Sequence, residues 1–213
     1  MKLTELMPSI FKMIPYEYEK IKSAQYDELV EDLLSTALPS SMPKLKQISG
    51  IPGSGKTTFC KMNKNDEYLF IGFDEIMHKI SGYKNDVEML GLIKAFEKWE
   101  LVARTIGYEL LFRAISKRIS VLFEHSGVND AHVELFKNAK VLGYETEVIF
   151  TICDIETALK RAGAREKEIL RHTPRILIEE RAVLLEKYIN IYMKTADKVV
   201  IYNTSGSVPK LAC

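Results

Sequence analysis

Cysteine is scarce in this chain, and the few cysteines present are not arranged for bonding. Cys60, Cys153 and Cys213 are the three cysteines among 213 residues, and they lie far apart in the sequence. An odd number of scattered cysteines argues against a disulfide framework, and their spacing matches no cysteine-based metal site. We therefore expect the protein to act in a reducing compartment, the cytoplasm.

The chain also lacks an excess of either charge and a long apolar run. It has 30 Lys and Arg against 29 Asp and Glu, a formal net charge of +1. A dedicated nucleic-acid surface would usually make a chain strongly basic, so we expect none. No apolar run approaches the ~20 residues of a membrane-spanning helix, and the N-terminus has no basic-then-apolar leader. We therefore expect no membrane association.

The composition is that of an ordinary globular protein, with 46% hydrophobic and 28% charged residues. Residues 16–38 carry apolar side chains at helical spacing, and a proline-containing break at 39–43 ends this pattern. We predict a helical N-terminal extension over residues 1–43, which either braces the core or binds a partner. Residues 44–213 then form one domain.

Strand-like and helix-like segments alternate along that domain. Buried-strand patterns occur at 45–49, 68–71, 120–124, 145–152 and 198–202, with helical patterns between them. Such alternation predicts an α/β fold with a parallel sheet and right-handed crossovers. The longest helical stretch, from residue 86 to residue 118, is expected to break near Gly107.

A glycine-rich loop follows the first predicted strand and precedes a predicted helix. It completes the phosphate-binding pattern G-x-x-x-x-G-K-[ST] with Gly50, Ile51, Pro52, Gly53, Ser54, Gly55, Lys56, Thr57 and Thr58. The glycines let backbone N–H groups converge on phosphate oxygens, Lys56 supplies positive charge, and the Thr57 hydroxyl is placed to bind Mg²⁺. We therefore predict a P-loop NTPase that binds ATP or GTP with Mg²⁺ through these residues.

Three polar side chains follow predicted strands beside this loop. Ligands of parallel α/β sheets collect at the carboxyl ends of the strands, where Asp74, Glu124 and Ser126 occur. Asp74 is placed to accept the proton of an attacking hydroxyl or to hold a Mg²⁺-bound water; alternatively, it caps the next helix. Glu124 is a Mg²⁺ ligand, a ligand of the substrate hydroxyl, or a structural group that satisfies loop amides.

Arginines are concentrated in a later helical stretch. Arg161 and Arg165 are four residues apart and share a helix face, and Arg171 and Arg175 follow them. Guanidinium groups stabilise the negative charge that spreads over a phosphoryl group during transfer. We predict a kinase lid in which Arg161 and Arg165 act on the moving phosphoryl group. The alternative is a solvated helix face, because glutamates are interspersed.

Together, these segments resemble the zeta-toxin family of P-loop kinases and, more loosely, the chloramphenicol phosphotransferases. The resemblance covers residues 45–212. Besides the loop, four segments carry the resemblance. The first two are an I-D-x-D-x-[FL]-like segment at 70–76 with the later aromatic Tyr83, and an apolar-E-x-[TS] segment at 122–126. The other two are an R-x-x-x-R…H-x-P…R region over 161–181 and an A-D…S-G strand and turn at 196–206. The resemblance implies that Asp74 is the general base and that Glu124, Ser126 and Tyr83 bind the substrate.

The resemblance also implies a fold, a reaction and a partner. The expected fold is a five-stranded parallel sheet in the order 2-3-1-4-5, flanked by helices. The expected reaction transfers the γ-phosphate of ATP or GTP to a hydroxyl of a small metabolite, such as a UDP-N-acetyl sugar, and the partner is an antitoxin protein. Gly72, Met77, Ser81 and His125 depart from the family pattern on the acceptor side, so the acceptor itself stays open.

Two other functions share parts of this pattern. A kinase of nucleotides or polynucleotide 5′-hydroxyls uses the same loop and lid, although the near-neutral net charge argues against a polynucleotide. A nucleotide-dependent switch protein needs the loop but no acceptor chemistry, and Asp74 with its arginine lid argues against that function.

Overall fold

One sheet organises the part of the chain that the computed structural model describes, residues 2–14, 24–169 and 173–212. Its strands are β1 (Lys44–Ser49), β2 (Leu69–Gly72), β3 (Val121–Glu124), β4 (Glu145–Ile152), β5 (Lys198–Asn203) and β6 (Lys210–Leu211). They are hydrogen-bonded in the order β2-β3-β1-β4-β5-β6. The pairs among β1 to β5 are all parallel, as strands joined by helical crossovers must be.

The predicted order of the parallel strands is confirmed, but the predicted number of five strands is wrong, because the sheet has six. After β5 the chain turns back, and Leu211 and Lys210 pair antiparallel with Tyr202 and Asn203. A two-residue strand has no hydrophobic periodicity that the sequence could reveal. Its pairing therefore depends on the turn and not on a local pattern.

Helices cover both faces of the sheet. They are α1 (Leu3–Leu6), α2 (Ala24–Ser35), α3 (Lys56–Asn63), α4 (Phe73–Lys79), α5 (Ser81–Leu90), α6 (Leu92–Ser116), α7 (Asp130–Val141), α8 (Ile155–Ile169) and α9 (Arg175–Met193), with a 3₁₀ turn at Ile10–Lys12. Val121 and Phe123 join the larger core, and Leu122 between them joins a smaller core with Phe59 of α3. This alternation is the two-residue period of a strand buried on both faces.

The long helical stretch is interrupted at Gly91 and not near Gly107, where we expected the break. Gly91 has a φ of 76°, which ends α5, and α6 then runs without interruption through Gly107. Gly107 has a packing role instead, since a Cβ there would lie 2.5 Å from the ring of Phe73. The absence of a side chain on α6 therefore lets the first residue of α4 pack against it.

The N-terminal segments are built into the larger core. Leu6 and Ile10 are fully buried, and both the backbone N–H and the hydroxyl of Ser9 donate to the carboxylate of Glu134 on α7, each at 2.7 Å. Residues 15–23, which include part of the helix predicted at 16–38, lie outside the described residues. The domain boundary at residue 43 stays a prediction.

Alanine at position 107 should destabilise the protein. Overpacking costs about 1–3 kcal/mol, more than the ~0.5–1 kcal/mol that alanine gains over glycine in a helix. Gly163 in α8 is the matched control, because a Cβ there meets nothing within 4 Å. Urea unfolding should show that Gly107→Ala lowers the free energy of unfolding and that Gly163→Ala raises it. Equal stabilisation by both substitutions would contradict the tight contact with Phe73.

Candidate functional site

The phosphate-binding loop turns tightly between β1 and α3, and two of its glycines cannot be replaced without moving the backbone. Gly50 and Gly53 have φ values of 147° and 82°. A Cβ on Gly50 would lie 2.3 Å from the carbonyl oxygen of Thr151, and one on Gly53 would lie 2.2 Å from that of Ala158. Because both neighbours are backbone atoms, the loop adopts this shape only with glycine.

Buried hydroxyl groups hold the loop in place. The hydroxyls of Ser54 and Thr151 are 2.8 Å apart, and the hydroxyl of Thr204 donates to the carbonyl oxygen of Ser54 at 2.8 Å. The backbone N–H of Gly50 donates to the carbonyl oxygen of Ser126 at 3.3 Å. The loop is thus fastened to β4, to the end of β5 and to the segment after β3.

The two side chains that end the loop motif lie over the carboxyl edge of the sheet. Lys56 Nζ donates to the carbonyl oxygen of Ile51 at 2.9 Å, so the ammonium lies across the loop. The Thr57 hydroxyl donates to Glu124 Oε1 at 2.7 Å. These placements keep a positive charge and a hydroxyl group beside the same loop, where a bound phosphate needs them.

Thr57 and Glu124 also fit a magnesium site of the kind that nucleotide substrates complete. Hydroxyl and carboxylate oxygens are ligands that Mg²⁺ prefers, and Mg²⁺ usually takes few protein ligands alongside substrate phosphates. In the described ranges, no group of three or more His, Cys, Asp or Glu could hold a metal by itself. Thr57 and Glu124 are thus two oxygen ligands that nucleotide phosphates could complete.

Asp74 lies in the first turn of α4, directly after β2, and faces an arginine. Arg165 Nη2 donates to Asp74 Oδ2 at 3.3 Å, and about a third of each side chain is exposed. α4 begins at Phe73 and its N-cap is Gly72, so Asp74 is not the cap of this helix. Its carboxylate is therefore directed to the arginine and to the cavity beside it.

Arg161 and Arg165 share one face of α8 but have different contacts. Arg161 Nη2 donates to the carbonyl oxygen of Gly206 at 3.2 Å, in the turn after β5. Arg165 lines the cavity and Arg161 does not. Arg171 and His172 of the predicted lid lie outside the described residues, whereas Thr173, Pro174 and Arg181 line the cavity.

A cavity of about 530 Å³ joins the loop to the far side of the sheet edge. Asp74, Glu124, Lys56, Thr57 and Arg165 all line it. Its far wall is one face of α6, formed by Ile93, Phe96, Glu97, Glu100 and Arg104. This wall was not predicted from the sequence, although its spacing of 3, 1, 3 and 4 residues is that of a helix face with polar residues among apolar ones.

The two remaining predicted substrate ligands differ in position. Ser126 is 6% exposed and lines the cavity, and its hydroxyl lies 3.4 Å from Nδ1 of His125. Tyr83 is buried, packs its ring against His78 and is not among the residues that line the cavity. The structure therefore brings Lys56, Thr57, Asp74, Glu124, Ser126 and Arg165 to one cavity, and leaves Ser54, Thr58, Arg161 and Tyr83 outside its lining. The roles of all these residues stay predictions.

A series of buried, hydrogen-bonded side chains lies beneath the site. Gln47 Nε2 donates to the Ser49 hydroxyl at 2.7 Å, and Gln47 Oε1 lies 3.0 Å from Nδ1 of His132. Since an amide oxygen only accepts, Nδ1 carries the proton, and Nε2 accepts from the Tyr108 hydroxyl at 2.9 Å. Burial lowers the pKa of His132 to about 3, so the ring stays neutral.

Similar proteins are found by family and by fold. The family model described as Zeta toxin matches residues 28–209. A chain from a structure of the PezAT chromosomal toxin–antitoxin system of Streptococcus pneumoniae is similar, with a TM-score of 0.71 and 16% identity over 88% of this chain and 82% of that one. No curated protein is significantly similar in sequence.

Two further solved structures have related folds. The AvrRxo1-ORF1:-ORF2 structure with ATP has a TM-score of 0.68 and 12% identity over 88% of this chain and 65% of that one. The Pnkp1/Rnl/Hen1 RNA repair complex has a TM-score of 0.51 and 16% identity over 71% of this chain and 46% of that one. At such identities the likeness concerns the fold alone. Within the described ranges, no helix has the length and apolar character needed to cross a membrane.

The start of α8, and with it the position of Arg165, depends on Asp154. Its carboxylate accepts from the backbone N–H of Thr157 at 2.7 Å and from the Thr157 hydroxyl at 2.8 Å. These hydrogen bonds, with one from Ser205, lower the pKa of Asp154 from an ordinary 3.8 to about 2. The stabilisation by the charged Asp154 is therefore complete above pH 3.8 and is lost as the pH falls through about 2, the pKa of Asp154 in the folded protein.

Asp154→Asn should remove this pH-dependent part of the stability. Asparagine keeps an oxygen that accepts from Thr157 but loses the charge. Thermal melting at several pH values should place the variant below the wild type at neutral pH. The gap should narrow once the pH falls below about 4, where the wild-type carboxylate begins to lose its advantage. A gap that is constant down to acidic pH would contradict the charged cap.

Proposed function

Because this chain belongs to the zeta toxin family, we propose that it is a kinase that transfers the γ-phosphate of ATP or GTP to a hydroxyl group of a small metabolite. One observation carries the proposal. Lys56 and Thr57 of the phosphate loop line the same cavity as Asp74 and Arg165, so phosphate-binding and proton-accepting groups meet in one place. The likeness to a structure that contains ATP supports ATP as the donor.

The loop and its lysine would bind the donor nucleotide. Backbone N–H groups of residues 50–57 would contact the phosphate oxygens, and Lys56, already lying across the loop, would exchange its contact with Ile51 for the β- and γ-phosphates. Bound Mg²⁺ would neutralise phosphate charge, and Thr57 with Glu124 are the residues that would hold it. Together these contacts would hold the γ-phosphate in the cavity that Asp74 also lines.

Asp74 would act as the general base. As the acceptor oxygen forms its bond to the γ-phosphorus, its proton passes to an Asp74 carboxylate oxygen, and the bond from the γ-phosphorus to the bridging oxygen of the nucleoside diphosphate breaks. Arg165, in contact with Asp74 in this structure, is placed to move onto the transferring phosphoryl group and stabilise its charge.

The alternatives have less support. A nucleotide or polynucleotide 5′-hydroxyl acceptor is consistent with the likeness to the RNA repair complex, but the net charge of +1 argues against a polynucleotide. A switch protein would need no paired Asp74 and Arg165 in its cavity. By analogy with the PezAT toxin–antitoxin system, we also propose an antitoxin protein as a partner. The few, scattered cysteines support a cytoplasmic location.

The direct test is to search for the product. Purified protein is incubated with Mg·ATP and a metabolite extract, and mass spectrometry is used to find compounds that gain one phosphate. Lys56→Ala is the matched control, since it removes the ammonium at the loop and leaves the core unchanged. Products made by the wild type and not by Lys56→Ala support a kinase. Nucleotide binding without any new phosphorylated compound would refute it.

Asp74→Asn should separate base catalysis from nucleotide binding. General base catalysis contributes on the order of 10²–10⁴-fold, and asparagine cannot accept the proton. We expect kcat to fall by about that factor, while nucleotide affinity and melting temperature stay close to those of the wild type. Steady-state kinetics and a fluorescent-nucleotide titration measure the two effects. Near-normal turnover in this variant would require another base.

Arg165→Ala should lower turnover more than Arg161→Ala. Arg165 contacts Asp74 inside the cavity, whereas Arg161 contacts the turn at Gly206 outside it. Removing a group that stabilises the transition state costs on the order of 10²-fold or more in kcat. Arg165→Lys should recover only part of the loss, because lysine keeps the charge but not the planar fork. If both alanine variants turn over within about twofold of the wild type, the lid model fails.

A further inference from the structure

We propose that His125 is a specificity-determining residue of the acceptor site, whose Nε2–H donates a hydrogen bond to an oxygen of the acceptor molecule. The inference rests on the proposed kinase function and deepens it, because it assigns a chemical feature to the acceptor. It concerns a residue that is not part of the phosphate loop and accepts no proton in the reaction.

His125 stands beside the proposed base. It follows Glu124 at the carboxyl end of β3 and lines the cavity. Its ring packs edge to face against Phe73, the residue before Asp74, with 5.6 Å between ring centroids, and stacks on Phe123 at 5.8 Å. These ring contacts fix the imidazole at the carboxyl ends of β2 and β3, on the side where an acceptor hydroxyl must approach Asp74.

The hydrogen bonds of its own loop determine the tautomer. The backbone N–H of Gly127 donates to Nδ1 of His125 at 3.1 Å, and the Ser126 hydroxyl lies 3.4 Å from the same nitrogen. A backbone N–H can only donate, so Nδ1 must offer a lone pair. In a neutral ring the proton is therefore on Nε2.

The same hydrogen bond disfavours a second proton on the ring. Protonation would place a hydrogen on Nδ1 and break the bond from Gly127. His125 therefore presents Nε2 as its donor in the cavity that it lines.

The neighbouring His132 does not use this donor. The His132 ring is 4.0 Å away between centroids, but its Nδ1 pairs with Gln47 and its Nε2 with Tyr108. A donor at a cavity wall, with its neighbours already paired, is suited to a ligand oxygen.

The surroundings of His125 define the acceptor chemistry. Nε2–H requires a lone pair on the ligand atom that it contacts. We therefore assign the acceptor to hydroxyl compounds with a second oxygen, a carbonyl or a hydroxyl, close to the reacting hydroxyl. An amine at that point would leave two donors facing each other.

The tautomer can be tested without knowing the acceptor. Protein labelled with ¹⁵N-histidine is examined at neutral pH by long-range ¹H–¹⁵N correlation spectra, and His125→Asn identifies the His125 signals by their loss. We expect an unprotonated Nδ1 and a protonated Nε2. An Nδ1–H tautomer or a doubly protonated ring would overturn the inference, whatever the reaction.

The role in specificity is tested with two opposite replacements. His125→Gln places an amide donor near the position of Nε2, whereas the shorter side chain in His125→Asn places its amide near Nδ1 and leaves no group at the position of Nε2. His78→Asn is the control, because His78 is exposed and outside the cavity. Each variant is assayed with Mg·ATP on the metabolite extract, with UDP-N-acetylglucosamine as a reference acceptor, and ATP affinity is measured by titration.

The expected loss is that of one neutral hydrogen bond, so His125→Asn should raise the KM for the acceptor by about threefold to tenfold. His125→Gln should recover part of this loss, and ATP affinity should stay unchanged in both variants. An unchanged KM in His125→Asn, or a parallel loss of ATP affinity, would overturn the inference and leave the kinase function intact. A wild type that forms no product would instead overturn the kinase function, and the inference with it.

Discussion

The parallel register of β1, β2 and β3 is the constraint on which the whole site depends. Glu124 at the end of β3 pairs with Ile48 of β1 on one side and with Gly72 of β2 on the other. The phosphate loop and Asp74 each follow two residues after these partners, so both come to the same edge. Because side chains alternate along a strand, a slip of one residue would turn each of these groups to the other face.

Much of this arrangement can be predicted from the sequence because its signals are local. The glycines of the loop are required by backbone shape, and the alternation of strands and helices implies parallel strands whose carboxyl ends meet. The sequence does not show that Arg165 is the arginine beside Asp74, because this contact joins segments that are far apart in the chain. Two arginines on one helix face are equivalent in sequence, and only the packing of α8 against the loop separates them.

The cavity wall on α6, the tight contact at Gly107 and the pairing of β6 could not be predicted from the sequence, each for a physical reason. An amphipathic pattern on α6 indicates a buried face but not whether that face meets a core or a cavity, so the sequence does not show that Ile93 and Phe96 line the cavity. Gly107 looked like a helix break, although it is the close approach of Phe73 that requires it. The pairing of β6 depends on a turn and has no periodic signal of its own.

The buried hydrogen bonds that join the side chains of Tyr108, His132 and Gln47 limit how the sequence can diverge. Each of the three side chains supplies the hydrogen-bond partner of the next, and all are fully buried. Losing one member leaves a polar atom without a partner in the core, at a cost of ~1–3 kcal/mol. Related chains should therefore keep the three residues together or replace them together, even where the rest of the sequence has drifted.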